Sequence, residues 1–357
     1  MVEVDSSSPP PLVSVVVSTY NHGEYLAQAI ESIVGQRTAF DYEVLIGDDC
    51  SRDNTLQIAE EYQRRYPELI RVFPSDRNLG PHDNDVRLTQ ASRGKYLAYC
   101  EGDDYWNTPD KLARQVAFLE ANPDYGAVHS EYSRIAQFRS EWRCIPRGWQ
   151  HQGRVIPQGD VFQDMLLDNF MMTCTVVVRR DVMLTYLDSA LPVEDFWPPD
   201  WAFYVYVSHE CRIGYIDEPL ATYRTVPGSM MNQSAAVMLA RNQGAAETLR
   251  VLCDYFGVDE ASRMDSRWRM TLRLFRLALR AGDFESAQSA FEWLNTHAQA
   301  GPAGSMAGPR RFLYRIAIGH PALATLFRTA ELSNQRVGVA AMKMRRAFTA
   351  PAPSFQG

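Results

Sequence analysis

Between residues 12 and 130, short apolar runs alternate with amphipathic segments of helical length, and this alternation restricts the fold more than any other feature. Leu12–Ser18 is a β-branched run, the pattern of a strand buried on both faces in a parallel sheet. In Glu24–Gly35, Tyr25, Leu26, Ala29, Ile30, Ile33 and Val34 fall on one helical face, and Gly35 is placed to stop the helix. The alternation continues through strand Val44–Gly47, a helix from Thr55 to Tyr66 closed by Pro67, strand Ile70–Phe73, a helix across 82–92 and strand Tyr96–Cys100. A helix to Asn122 then opens with Thr108 as N-cap and Pro109 at its first position, and strand Gly126–Ser130 follows. Strands and helices at this spacing predict βαβ units, hence an α/β fold with a doubly wound, mostly parallel sheet flanked by helices.

Such sheets bind ligands beyond the carboxyl ends of their strands. Three polar clusters directly follow predicted strands: Thr19-Tyr20-Asn21, Asp48-Asp49 and Glu101-Gly102-Asp103-Asp104. Together they define a candidate site on one sheet edge. In CEGDDYW, residues 100–106, like charges end a buried strand, where they repel one another and lose hydration, so something must compensate for them. Taken alone, the acids fit a turn cap as well as a metal site. The second pair on the same edge favours a hard divalent ion, Mg²⁺ or Mn²⁺, arriving with a nucleotide. One pair would take the metal while the other hydrogen-bonds the base or ribose.

Beyond residue 130 the pattern loosens, with extended pieces near 131–145 and 173–178, helices near 160–168 and at Trp201–Glu210, and strand Arg212–Ile216. Residues 235–256, 263–281 and 283–297 read as amphipathic helices, GPAGSMAGP at 301–309 as a flexible break, and 310–348 as a final helical region. The predicted organisation is a lead-in at 1–11, an α/β domain at 12–230 and a C-terminal α-helical region at 231–357. Residues 323–348 set five Lys and Arg against Glu331, which suits either peripheral contact with an anionic membrane or self-association. Gly338 and the spread of apolar residues favour the second.

Several function classes are disfavoured. A chain of 357 residues, 46% hydrophobic and 22% charged with a net charge of −7, is ordinary for a globular protein and gives no sign of nucleic-acid binding. Six scattered cysteines without a C-x-x-C pair predict reduced core residues and a cytoplasmic protein. The N-terminus lacks a signal-peptide pattern, and the apolar runs fall short of the ~20 residues of a membrane span. No histidine spacing fits a zinc site, and no phosphate-binding glycine loop or G-x-S-x-G occurs.

Four segments, VSVVVSTYNHGEYLAQAIESIVGQ, VLIGDDCSRDNT, NLG and GKYLAYCEGDDYWNTPDKL, stand in one order and spacing that resembles the family 2 glycosyltransferases of the GT-A (Rossmann-like) fold. The resemblance covers roughly residues 12–230. It implies inverting, metal-dependent transfer of a sugar from a UDP-, dTDP- or GDP-sugar to a hydroxyl of a saccharide or lipid-linked acceptor, as in bacterial surface polysaccharide synthesis. Residue by residue, it implies Ser18, Thr19 and Tyr20 in the nucleotide pocket and Asp48 and Asp49 at the base. Glu101 and Asp103 would fall in the donor site, with Asp103 and Asp104 on the Mg²⁺ or Mn²⁺ and at the ribose. PPDWAFYVYVSHECRIGYIDEPLATYR resembles the catalytic segment, making Asp200 the general base and Arg224 the partner of the leaving diphosphate. Two departures stand out: Glu101 replaces a commoner aspartate, and Val226 takes the place of a frequent histidine.

Glu194 and Asp195 compete with Asp200 but read first as a solvated loop. Trp106, Trp197 and Trp201 suit sugar-stacking platforms or, slightly better, core packing. Asn78, Asn84 and Arg87 either reach the donor or serve as turn and helix-surface residues. A sugar-phosphate nucleotidyltransferase shares the fold type, but VSTYNHGEYL offers no glycine-rich triphosphate loop. A non-catalytic nucleotide-sugar or carbohydrate-binding protein ranks last because the acids are intact.

Overall fold

The structure, a computed structural model, describes residues 9–138, 141–226 and 233–298. The chain divides into two compact units, one ending at Asn232 and the other beginning at Gln233. The predicted break at 301–309 and helical region at 310–348 lie outside the described residues, as does the lead-in up to residue 8.

The first unit runs β1 (Val13–Thr19), α1 (Leu26–Val34), β2 (Tyr42–Asp48), α2 (Thr55–Arg65), β3 (Ile70–Pro74), α3 (Pro81–Ala91), β4 (Tyr96–Tyr99), β5 (Tyr105–Trp106) and α4 (Lys111–Ala121). It continues with β6 (Tyr125–Phe138), β7 (Glu141–Ile145), α5 (Gly148–His151), α6 (Phe162–Leu167), β8 (Val177–Arg179), α7 (Arg180–Leu187), α8 (Pro199–Glu210) and β9 (Arg212–Thr225). One sheet has the order β3-β2-β1-β4-β8-β6-β9-β5, with β7 paired to β6. β3, β2, β1 and β4 are mutually parallel. The interior residues of β1, β2 and β4 are buried, as strands covered by helices on both faces require, whereas β3, at the sheet edge, is half-buried beyond Ile70.

The sheet is mixed beyond β4, because the short β8 enters antiparallel between β4 and β6. Arg179 at the end of β8 fixes that insertion by donating to the carbonyls of Tyr125 (2.8 Å) and Leu119 (2.7 Å). β6 and β9 are each 14 residues long and pair in parallel across irregularities at Glu131. Glu131 is itself buried, and its carboxylate accepts the amides of Tyr132, Trp149 and Gln150 at 2.8–3.1 Å. A buried acid of this kind ends the apolar pattern in sequence without ending the strand.

The start of α4 differs from expectation. Asp110, not Thr108, is the N-cap residue, with no side-chain cap. Gln36 holds this turn, donating to the Thr108 carbonyl (2.7 Å) and accepting from Leu112 N (3.1 Å).

The second unit contains α9 (Ala235–Tyr255), α10 (Glu260–Ala281) and α11 (Phe284–Thr296). Side-chain caps from Ser234, Asp259 and Asp283 start the three helices. Gly282, at φ +80°, supplies the left-handed stop after α10. Trp268, Phe275, Ala278, Leu279, Ala287, Phe291 and Leu294 form the core of this unit with Leu239. Among the described residues, no helix is long and apolar enough to cross a membrane.

Two loops at the carboxyl edge of the first unit are locked together. Asn21 N donates to Ser51 Oγ, Arg52 N to Asn21 Oδ1, His22 N to Thr55 Oγ1 and Gly23 N to Asp53 Oδ2, all at 2.8–3.0 Å. This places Asn21 and Cys50 in the left-handed region, at φ +54° and +61°. For a side chain other than Gly, that conformation costs about 1–2 kcal/mol. Cys50 already bears that cost and a β-branched side chain bears more, so Cys50→Ile is expected to lose about 1 kcal/mol of unfolding free energy, while Cys50→Gly equals or exceeds the parent. Urea denaturation of the three proteins checks this, and equal stability of the Ile and Gly variants would contradict it.

Candidate active site

Three strand ends build the site. Backbone bonds stitch them together: Cys100 N to Val16 O (3.1 Å), Gly102 N to Ser18 O (2.9 Å) and Asp49 N to Thr19 O (3.0 Å). The acid turn closes on itself through Asp104 N to Glu101 O (2.9 Å). A Cβ on Gly102 would lie 2.6 Å from Thr19 Oγ1 and 2.9 Å from His22 Nδ1, so only glycine lets the turn press against the end of β1.

The two predicted acid pairs behave differently. Asp49 is spent on the fold, its two oxygens accepting Leu79 N (2.6 Å) and Gly80 N (2.9 Å) of the NLG segment. Asp48 accepts Ser51 N through Oδ2, while its buried Oδ1 has no partner. Arg87 and Asn84 are likewise structural, bonding the carbonyls of Phe73, Pro74 and Asp48, and of Gly47. Asn78 Nδ2 reaches only the Asp49 carbonyl, at 3.4 Å.

At the acid turn, one ligand atom each from Glu101, Asp104 and Cys174 lies within 4.8 Å of the others. Burial raises the pKa of Glu101 to about 8, reinforced by the charges of Asp103, Asp85 and Asp200. Asp104 is pushed well up for the same first reason, reinforced by Asp103 and Glu101. Glu101 Oε2 is buried without a partner. The carboxyl oxygens suit a hard divalent cation, whereas burial holds the Cys174 thiol protonated. Asp103, the other predicted ligand, has its Oδ1 3.9 Å from His22 Nδ1.

Arg224 couples β9 to this turn. Its backbone N donates to Asp104 Oδ1 (2.7 Å), its Nε to the Asp103 carbonyl (2.6 Å) and its Nη2 to Gln28 Oε1 (2.7 Å). The guanidinium carbon lies 4.7 Å from the Tyr25 ring, 5.4 Å from Tyr105 and 5.6 Å from Trp142. Val226 is buried beside it in sequence and offers no polar group. Lys111 lies fully buried, its Nζ 4.3 Å from the Trp106 ring and without a hydrogen-bond partner, and burial lowers its pKa to about 7.

Asp200 sits in the first turn of α8, after Pro199. Asn169 Nδ2 donates to its Oδ2 at 3.4 Å, and burial raises its pKa. Its charge acts on both Glu101 and Asp85, so it belongs to the same electrostatic cluster. Glu194 and Asp195 are exposed. Ser18 is half-buried at the end of β1, Thr19 is buried with its hydroxyl unpartnered, and Tyr20 is exposed.

Two residues escaped the sequence reading. Asp85 accepts the Ser18 hydroxyl, and burial together with Asp200 raises its pKa to about 6. It lies on α3, where an acid reads as helix surface. Trp142, 40% exposed, packs edge-on against Tyr25 with ring centroids 6.4 Å apart. Trp106 and Trp201 follow the core-packing alternative: both are buried, with indole N–H groups bonded to the carbonyls of Cys174 and Met165.

Comparisons with known proteins agree with this architecture. Residues 14–186 match the model of glycosyl transferase family 2. An uncharacterized protein of Mycobacterium tuberculosis is 34% identical over 256 residues, 68% of this chain and 68% of its own length. The dTDP-rhamnosyl transferase RfbG of Shigella flexneri is 24% identical over 217 residues, 58% of this chain and 71% of its own length. Among solved structures, a mannosyltransferase from Pyrobaculum calidifontis in complex with GDP-Man and Mn²⁺ aligns with a TM-score of 0.56 at 17% identity, covering 96% of this chain and 89% of that one. Residues 1–349 of S. aureus TarS align with a TM-score of 0.54 at 19% identity, covering 96% and 93%. At such identities the structural likeness is one of fold. The chain belongs to glycosyl transferase family 2 and is a glycosyltransferase of the GT-A fold.

Proposed function

We propose that the protein is an inverting, metal-dependent glycosyltransferase moving a sugar from a nucleotide-sugar donor to a hydroxyl of a saccharide or lipid-linked acceptor. The observation that carries this is the convergence of Asp85, Glu101, Asp103, Asp104 and Asp200 in one field beside Arg224. Carboxyl groups this close, Asp104 buried and the others half-buried, repel one another unless protons or a cation offset their charge. Asp48, with an unpartnered oxygen, is the better placed acid for the nucleotide base, and Asp49 braces the adjoining loop. Ser18, Thr19 and Tyr20 line the approach to it. The Ser18 hydroxyl donates to Asp85, which leaves its oxygen lone pairs for a donor group of the ligand.

Asp103 and Asp104, with Glu101, would hold the Mg²⁺ or Mn²⁺, which when bound neutralises charge on the departing diphosphate. Arg224, held by its aromatic neighbours, adds a fixed positive charge on the same side. Asp200 takes the proton of the acceptor hydroxyl at one carboxylate oxygen, and its raised pKa makes it a stronger base than a solvated aspartate. Attack from the face opposite the nucleotide inverts the anomeric centre. A relative named a dTDP-rhamnosyl transferase favours a nucleotide-sugar donor, and one named a putative teichuronic acid biosynthesis glycosyltransferase favours a surface-polymer acceptor. Six free cysteines among the described residues favour a cytoplasmic enzyme. The alternative as a sugar-phosphate nucleotidyltransferase has no residue in its support beyond the shared acids.

Asp200→Asn is expected to keep donor binding and lose roughly 100- to 10,000-fold in transfer rate, because the amide accepts no proton. Transfer from radiolabelled nucleotide sugars, with donor affinity measured in parallel, checks this. Transfer within a few-fold of the parent would move the base elsewhere.

The raised acids also set a pH dependence. Glu101 and Asp85 have folded-state pKa values of about 8 and about 6, above their ordinary 4.5 and 3.8. A raised carboxyl binds its proton more tightly in the folded state, so stability falls as pH rises toward the folded pKa. The metal-free protein should therefore lose melting temperature as pH rises from the ordinary values toward about 8, most steeply below about 6, where both groups contribute. Mn²⁺ should restore most at the upper end, and Glu101→Gln should flatten the slope. Melting scans across that window check this, and a melting temperature that rises with pH would contradict it.

A further inference from the structure

We infer that the arginine face of α10 docks onto an anionic lipid surface. Arg269, Arg273, Arg276 and Arg280 are spaced by four, three and four residues, which aligns them on one side of the helix over about 16 Å. Arg269, Arg273 and Arg280 are exposed and Arg276 is half-buried. Along this row the sole acid is Asp265, which takes Arg269 at 3.3 Å. The other side of α10 supplies Trp268, Phe275, Ala278 and Leu279 to the core, so the row faces away from it. Leu272 and Leu277, both partly buried, border the row on either side.

The charge of the whole chain is divided at the same point as its fold. Residues 1–232 carry 20 Lys and Arg against 34 Asp and Glu, a net −14, and residues 233–357 carry 16 against 9, a net +7. Solubility requires no such separation. A straight row of guanidinium groups flanked by leucines matches a plane of lipid phosphates with apolar material beneath, whereas a compact anion engages one or two arginines. The docking rests on the glycosyltransferase reading only for what that surface would present, a lipid-linked acceptor, and it is measured without catalysis.

Vesicle co-sedimentation of the full chain tests this. Wild type should sediment with phosphatidylglycerol-containing vesicles, stay in solution with phosphatidylcholine alone, and be released by salt. The triple variant Arg269→Gln/Arg273→Gln/Arg280→Gln should partition roughly 100-fold more weakly, each arginine near an anionic surface contributing about fivefold. Arg64→Gln/Arg77→Gln, exposed arginines of the first unit, should sediment like wild type. Circular dichroism of the triple variant should match wild type, which separates lost docking from lost folding. Equal partition of the triple variant and wild type would overturn the assignment. So would indifference of wild type to lipid charge, or binding of duplex DNA without binding of vesicles.

Discussion

The cost of burying carboxyl groups next to one another governs the first unit. Glu101 and Asp104 follow directly from a strand whose four residues are buried, and they share a field with Asp85, Asp103 and Asp200. Burial and mutual repulsion both raise their pKa values, so the metal-free site holds protons that solvated carboxylates would have released. The nearby cations do not cancel this. Lys111 is itself driven toward neutrality by burial, and Arg224 meets the turn through the Asp103 carbonyl and its own backbone amide. A divalent ion is the natural complement, and it would couple donor binding to the loss of those protons.

The surrounding structure keeps these acids from moving apart. Gly102 lets the turn seat against Thr19, Asp49 clamps the 79–80 loop, and Arg87 ties the ends of β2 and β3 to α3. These bonds are spent on position rather than chemistry, and they leave Asp48 Oδ1 and Glu101 Oε2 without protein partners. A preorganised site of this type gives up stability to hold charge where it is used. The left-handed Cys50, next to Asp49, is a local instance.

How much could be read beforehand depended on whether periodicity or tertiary contact sets the outcome. The parallel strands β1, β2 and β4 were legible because burial on both faces gives apolar runs, and the acids were legible because they end those of β2 and β4. β6 was cut short in the reading at Ser130 because Glu131 is buried by contacts with Trp149 and Gln150 from a later segment. The antiparallel β8 was seen only as an extended piece, since three residues carry no pairing direction. Asp85 and Trp142 escaped for a related reason: their roles come from Ser18, Asp200, Tyr25 and Arg224, far away in sequence. Asp48 and Asp49 were adjacent and alike in sequence, and only their partners separate the brace from the free acid.

The central claim is that buried carboxyl groups hold protons until a divalent cation arrives with a nucleotide. Titration calorimetry of Mn²⁺ into the protein with a nucleoside diphosphate, repeated near neutral pH in buffers of different ionisation enthalpy, counts the protons exchanged. The account predicts net proton release on binding, reduced in Glu101→Gln. Metal-independent nucleotide binding, or binding without proton release, would contradict it.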